Sequence, residues 1–284
     1  MKSSGTTGPS KNICLGFDNL WKSGENFCKI HKVSENSYFW NYLPFSYLGG
    51  LFKLLILPAT SGSTILIDKS FNSTMLLSFV STIQNNKITH LWLVPSILKS
   101  LLILHKHSNL NLKDIGLKKI FVGTAPLEYN LKKEFEKKFG IYPLENYGLS
   151  ETTFLTTELS NDKNSLTKGY LGKKVKGIKM RLKKEKKSNF GEIEVKTPFL
   201  FKGYYVGRKF IRVSNSSFFP TGDIGQIKNN LVKIVGRKKN IIKKGGVMLL
   251  PSEIENNLKL FDNSIEAVCL KKDSYLYGED FDLF

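Results

Sequence analysis

Arginine is nearly missing from a chain otherwise rich in positive charge. Of 43 lysine and arginine residues only Arg181, Arg208, Arg212 and Arg237 are arginine, against 24 acids, and the formal charge is +19. The lysines are scattered among Asn and Ile, with no arginine-rich tract and no nucleic-acid-binding signature, so the charge does not imply a nucleic-acid partner. The run Lys183-Lys184-Glu185-Lys186-Lys187 reads as a solvated loop. Cysteine is scarce too: Cys14, Cys28 and Cys269 are odd in number and far apart. That excludes a disulfide framework and a cysteine zinc site, and fits a reducing, cytoplasmic location. His31, His90, His105 and His107 show no metal-ligand spacing, and His105 and His107, two apart, would not share a helix face. No signal peptide is visible. The most apolar stretch, Leu51 to Ile67, is interrupted by Lys53, Pro58 and Thr60-Ser61-Gly62-Ser63-Thr64, so no transmembrane segment is expected. What remains is an ordinary apolar fraction and enough aromatic residues for a packed core, in a chain of 284 residues that can hold more than one domain.

The stretch that organises the rest is Glu145-Asn146-Tyr147-Gly148-Leu149-Ser150-Glu151-Thr152. It reads as the end of a short buried strand, Ile141 to Leu144, turning sharply at Gly148, where glycine admits backbone angles closed to other residues. Such a turn gathers a hydroxyl, a carboxylate and an aromatic ring, and the carboxylate suits Mg²⁺ held against phosphate oxygens. Taken alone, the octapeptide reads as a surface turn before a capped helix. The segment Ser3-Ser4-Gly5-Thr6-Thr7-Gly8-Pro9-Ser10-Lys11 offers small residues, hydroxyls and a lysine suited to phosphate, though it lacks the Walker order, and composition alone makes it a polar tail.

Short buried strands are expected at Thr64 to Asp68, Leu91 to Val94 and Lys119 to Val122, and helices over Thr74 to Ile83, Ile97 to Leu104 and Asn130 to Phe139. In the last of these Leu131, Phe135 and Phe139 recur every fourth position, as on an amphipathic helix covering a sheet. Alternation of this kind implies an α/β core with a largely parallel sheet. From about Ser165 short alternating strands follow, at Ile178 to Leu182, Gly191 to Lys196 and Leu231 to Val235, with Thr221-Gly222-Asp223 in one connection; they suggest a small antiparallel barrel or sheet. Pro251-Ser252-Glu253-Ile254-Glu255 reads as a helix start in which Ser252 and Glu255 form a capping box.

Together these motifs resemble the adenylate-forming (AMP-binding) superfamily, and within it acyl-CoA synthetases most. Ser4-Gly5-Thr6-Thr7-Gly8 with Lys11 is similar to its phosphate loop, Gly123-Thr124-Ala125-Pro126-Leu127 to its Gly-Ala-Pro-Leu segment, and Asn146-Tyr147-Gly148-Leu149-Ser150-Glu151 to its Tyr-Gly-x-Thr/Ser-Glu motif. Gly191-Glu192-Ile193 through Lys202-Gly203-Tyr204, then Thr221-Gly222-Asp223, then Gly236-Arg237 through Gly245-Gly246 to Pro251-x-Glu253 follow in the family order. The resemblance implies a partial large domain over 1–236, with a parallel-sheet α/β core (1–160) and a small β-barrel subdomain (161–236). The start of the small α+β C-terminal domain would occupy 237–284. It implies an acid–thiol ligase using ATP, Mg²⁺ and CoA on a fatty or aryl carboxylate.

By the same resemblance Ser150, Glu151 and Arg237 are catalytic, and Glu151 holds the metal. The nucleotide contacts are Ser4, Gly5, Thr6, Thr7, Gly8, Lys11, Gly123, Thr124, Ala125, Pro126, Asn146, Tyr147, Gly148, Asp223 and Arg237. Lys239 is the hinge, Gly245 and Gly246 line the CoA tunnel, and Tyr47, Gly123 and Gly148 border the acyl pocket.

Against the family pattern, the 284 residues start at the phosphate loop and stop inside the small domain, before the family's C-terminal lysine. The loop reads Gly8-Pro9-Ser10-Lys11 where Gly-x-Pro-Lys is usual, and Tyr47 stands where many members have His. The expectation is a polypeptide that needs a complementary chain for solubility and catalysis, or one that only binds nucleotide.

Overall fold

The computed structural model describes residues 12–123, 127–184, 189–245, 247–262 and 264–284. The chain folds as two units: the described residues up to Ile178 with Thr197–Ser217, and Lys179–Lys196 with Phe218–Phe284.

In the first unit the strands up to Ile178 are β1 (Asn12–Cys14), β2 (Tyr38–Asn41), β3 (Thr64–Ile67), β4 (His90–Leu93), β5 (Lys119–Val122), β6 (Pro143–Leu149), β7 (Thr153–Thr157) and β8 (Lys173–Lys174). Five of them, in the order β3-β2-β4-β5-β6, are parallel; β7 and β8 then add antiparallel. β4 is buried at every residue and β5 at three of four, as a sheet covered on both faces requires. One face packs Phe79, Leu91, Leu98, Ile120, Phe135 and Phe139 under the helices Pro95–Leu104 and Tyr129–Phe139. The other packs Phe39, Phe121 and Leu144 against α1 (Phe17–His31) and a second helical stretch. That stretch begins at Leu48–Leu51, opens to a π-helical turn over Phe52–Ile56 and closes as Leu57–Ser61. Gly24 of α1 lets the two approach: a Cβ there would lie 2.5 Å from the Ile56 side chain. β1 joins a separate antiparallel sheet with Gly203–Val206 and Lys209–Arg212. No helix among the described residues is long and apolar enough to cross a membrane.

The second unit holds two antiparallel sheets. In one, Leu231–Arg237, Phe219–Lys228, Gly191–Lys196 and Lys179–Lys183 lie side by side in that order. In the other the order is Val247–Leu249, Ile242–Lys244, Gly278–Leu283 and Cys269–Ser274, with the helix Pro251–Phe261 in the connection.

Four local expectations are corrected. Thr74 to Ile83 is not one helix: Asn72 accepts from the Met75 N–H and fixes a 3₁₀ turn at Ser73–Leu76, and an α-helix restarts at Phe79–Asn85. The octapeptide leads into a strand, not a helix, because β6 folds back on β7. Thr221-Gly222-Asp223 lies inside the strand Phe219–Lys228 rather than in a connection. Ser252 and Glu255 form no capping box; Leu250 is the N-cap residue, Ser252 donates to the Val235 carbonyl, and Glu255 accepts from the Cys269 N–H at 2.9 Å. Tertiary partners out-compete the local cap.

Candidate functional site

In the first unit the predicted residues gather at the C-terminal ends of the parallel strands, where open α/β sheets place their ligands. β5 ends at Val122, and a Cβ built on Gly123 would lie 3.5 Å from the Asn146 carbonyl and 3.6 Å from the Trp92 indole nitrogen. That is ordinary contact, so the protein's own packing does not demand glycine there; the missing side chain leaves room beside the sheet. Asn146 is held with its amide donating to the Leu144 carbonyl and its oxygen accepting from Thr157 at 2.6 Å. Tyr147 is half-buried and Gly148 exposed.

Gly148 has a different reason for being glycine than the sequence suggests. Its φ is not positive; the ladder is irregular between Tyr147 and Gly148, and a Cβ at 148 would come 1.8 Å from the Thr153 carbonyl oxygen. The reversal follows at Ser150–Thr152, closed by Thr152, whose N–H donates to the Leu149 carbonyl and whose hydroxyl accepts from the Leu149 N–H. Thr153 carries the left-handed angle, φ 53°. It tolerates that strain within a buried network in which its hydroxyl meets Ser23 at 2.7 Å.

Ser150 and Glu151 occupy the turn, both half-buried. The main chain of Glu151 accepts from the Phe201 N–H at 2.8 Å, and its Oε1 accepts from the Tyr204 hydroxyl at 3.1 Å. Burial and the Glu151 charge push the Tyr204 phenol above its ordinary range, so it stays a donor. In the sequence Tyr204 stands out only as part of a motif; its contact with Glu151 spans 53 positions, and no local pattern predicts it.

Beneath the hairpin lies a buried charge cluster. Lys132 reaches Glu145 Oε2 and Glu158 Oε1, both at 2.8 Å. Glu145 Oε1 accepts from the Leu127 N–H, and Glu158 Oε2 from the Glu145 N–H. Burial pushes both carboxyls up, Glu158 to about 7, against the pull of Lys132. The cluster ties the Tyr129–Phe139 helix to β6 and to the residue that follows β7.

Tyr47 is the N-cap residue of the π-containing helix, half-buried, with burial pushing its phenol up. Among the described residues no group of three or more His, Cys, Asp or Glu side chains could hold a metal. A metal at Glu151 would draw phosphate and water oxygens into its shell beside the protein's own, which is how Mg²⁺ binds beside phosphates. A depression of about 470 Å³ between Leu102 and Lys138 shares no residue with this cluster.

In the second unit Asp223 and Arg237 pair across adjacent strands, Arg237 Nε donating to Asp223 Oδ1 at 2.8 Å. The carboxylate is 3 % exposed and the guanidinium 48 %. The Asp223 N–H donates to Thr221, whose hydroxyl donates to the Ile193 carbonyl. Gly222 has φ +73° and nothing within 4 Å of where its Cβ would be, so conformation rather than space selects glycine. Lys239 is exposed in the turn Lys238–Asn240, whose Lys238 pairs with Glu192 at 2.7 Å. Gly245 has φ +56° and donates to the Tyr277 carbonyl. Ser4, Gly5, Thr6, Thr7, Gly8, Lys11, Thr124, Ala125, Pro126 and Gly246 lie outside the described residues.

A family model described as "AMP-binding enzyme" matches residues 1–205. The 2-succinylbenzoate–CoA ligase of Staphylococcus aureus (strain MRSA252) is 27 % identical over 281 residues, covering 98 % of this chain and 55 % of that protein. The ligase of the same name from Staphylococcus epidermidis (strain ATCC 12228 / FDA PCI 1200) is 28 % identical over 285 residues, covering 98 % and 57 %. The crystal structure of ATP-bound MatB from Rhodopseudomonas palustris superposes with a TM-score of 0.84 at 26 % identity, covering all of this chain and 56 % of that one. The chain thus spans about half the length of the relatives it matches.

Proposed function

The chain belongs to the AMP-binding enzyme family, and on that premise we propose that it serves the ATP-dependent activation of a carboxylic acid and its transfer to the thiol of CoA. A carboxylate resists attack by a thiol because oxide would have to leave. Activation solves this. A carboxylate oxygen attacks the α-phosphorus of ATP, the bond to the bridging oxygen breaks, and pyrophosphate departs with the electron pair. The thiolate sulfur then attacks the acyl carbon of the mixed anhydride, and AMP leaves. Such transfers depend on positioning and on stabilising spread negative charge.

The observation that carries this reading is the hairpin itself: a hydroxyl and a carboxylate at its tip, the carboxylate held by Tyr204, above a base that Lys132 ties through Glu145 and Glu158. Ser150 donates to phosphate. Glu151 holds Mg²⁺, which when bound neutralises phosphate charge. Asn146 and Tyr147 border the adenine. Asp223 offers two acceptor oxygens, the number a vicinal ribose diol needs, and Arg237 both orients Asp223 and supplies positive charge. Lys239 is the hinge, and Gly245 with Gly246 lies on the CoA path. The phosphate loop from Ser4 to Lys11 would hold the β- and γ-phosphates. The acid is an aryl acid, in keeping with the relatives' names.

The alternative reading is nucleotide binding without adenylation. Acid-dependent exchange of labelled pyrophosphate into ATP separates the two. Exchange by this chain establishes the ligase reading. ATP binding without exchange, and with none restored by a separate chain carrying the rest of a relative's sequence, establishes the second. No ATP binding at all would refute both.

A further inference from the structure

The Lys132–Glu145–Glu158 cluster is a costly way to gain stability. Its three side chains are at most 4 % exposed, and burial pushes both carboxyls up against the pull of a single ammonium. A buried ionic group of this kind is often no more stabilising than apolar side chains of the same volume; what it can add is a unique arrangement.

The arrangement here joins two pieces of backbone. Glu145 Oε1 accepts from the Leu127 N–H at 3.2 Å, and the Leu127 side chain lies in the apolar core on one face of the sheet. The Glu145 N–H donates to Glu158 Oε2 at 2.7 Å, and its carbonyl accepts from the Glu158 N–H at 3.0 Å. Lys132, on the helix that starts at Tyr129, holds the other carboxylate oxygen of Glu145. Glu145 is thus fixed from three sides, and through it the Leu127 backbone. The other end of the same segment comes against the next residue of β6: a Cβ on Gly123 would lie 3.5 Å from the Asn146 carbonyl oxygen. Gly123 and Leu127 therefore meet β6 at consecutive residues, 146 and 145.

In the proposed site Asn146 and Tyr147, directly after Glu145, form one wall beside the base, and the segment that starts at Gly123 forms the other. We infer that Glu145 is a positioning residue for the nucleotide: by holding the Leu127 N–H it sets the spacing of these two walls about the adenine, while Lys132 and Glu158 hold Glu145 in place. This rests on the nucleotide reading above. Glu145 acts through the segment and not by touching the ligand. Its partners stand 13 and 18 positions away, so no motif of the sequence gives it this task.

The test compares AMP with ribose 5-phosphate, which lacks the base, by calorimetry on the whole chain. The unaltered chain is expected to bind AMP more tightly. Glu145→Leu leaves the Lys132–Glu158 ion pair in place but removes the acceptor for Leu127. It should weaken AMP about tenfold and leave ribose 5-phosphate unchanged. Glu145→Gln keeps an acceptor oxygen and should restore AMP affinity. A loss shared by both probes is what general loosening of the fold would give, and it overturns the inference. So does AMP affinity unchanged by Glu145→Leu, or a loss as large with Glu145→Gln. A second measurement needs no substitution. Since the closed tether favours AMP, AMP must favour the closed tether by the same factor. Exchange of the Leu127 amide in the unaltered chain, followed by NMR, should therefore slow about tenfold at saturating AMP and stay as it was with ribose 5-phosphate. Absence of slowing overturns the inference even where Glu145→Leu does not fold. An unaltered chain that binds AMP no better than ribose 5-phosphate refutes the nucleotide reading and this inference with it. A base preference that Glu145→Leu leaves intact removes this inference alone.

Discussion

Replacing Lys132 by methionine removes the ammonium from a buried cluster that contains two carboxylates, all three side chains being at most 4 % exposed. With the ammonium in place the cluster carries one net negative charge. Without it, Glu145 and Glu158 confront each other, since the Leu127 and Glu145 N–H groups supply dipoles but no charge. Breaking a buried pair by removing one partner costs about 3–5 kcal/mol. The chain can escape part of this by protonating a carboxyl. From an ordinary value of 4.5 that escape costs about 5 kcal/mol at about pH 8 but only about 1.4 kcal/mol at about pH 5.5. Because the folded-state value of Glu158 lies above the unfolded one, the stability linked to its protonation is complete below 4.5 and is lost as pH rises through about 7. Lys132→Met should raise that folded value further. Urea unfolding followed by circular dichroism is therefore expected to show a deficit of about 3–5 kcal/mol at about pH 8, shrinking to about 1–2 kcal/mol at about pH 5.5. Adding Glu145→Gln and Glu158→Gln should flatten the pH dependence. A deficit equal at the two pH values, or below about 1 kcal/mol at the higher one, would refute the reasoning.

Tyr204→Phe removes one hydrogen bond to Glu151 and should cost about 1 kcal/mol or less in stability, while the Mg²⁺ concentration for half-maximal ATP binding rises several-fold; an unchanged Mg²⁺ requirement would make Tyr204 merely structural. Gly148→Ala puts a methyl 1.8 Å from the Thr153 carbonyl and should destabilise by about 1–3 kcal/mol, with proteolysis appearing first in the hairpin tip. His31 and His90 are buried neutral and pushed down to about 3, so the stability they confer is present above 6.5 and is lost as pH falls toward 3. Each should cost about 1.4 kcal/mol per pH step over that window, visible as acid-shifted unfolding that His31→Gln partly relieves. Asp223→Ala leaves Arg237 unpaired and is expected to weaken binding of ATP more than of inorganic pyrophosphate, measured by competition, since the ribose contact is what it removes.

Motif and periodicity reach only as far as forces between neighbours in sequence. The parallel core was legible because buried strands and a four-residue apolar repeat depend on nothing more: Lys119–Val122 matches its expected strand, and Tyr129–Phe139 differs from its expected helix by one residue. The family was legible for a similar reason, since ordered short motifs survive in the chain itself. Where local preference met a distant partner, the partner decided. Ser252 left its cap for Val235, Asp223 was drawn into a strand opposite Arg237, and Gly148 is glycine because Thr153 folds against it rather than because of its own angles.

The sequence alone thus determined the class of fold, the family and the residue types offered to a nucleotide. Only the tertiary structure decided that Tyr204 braces Glu151, that one lysine is shared by two glutamates, and that Lys53 and Asn41 are buried with donors unanswered among the described residues. Hydrogen bonding and desolvation act through space, over separations of 13 to 53 positions in the first two cases, and nothing in composition or spacing encodes them.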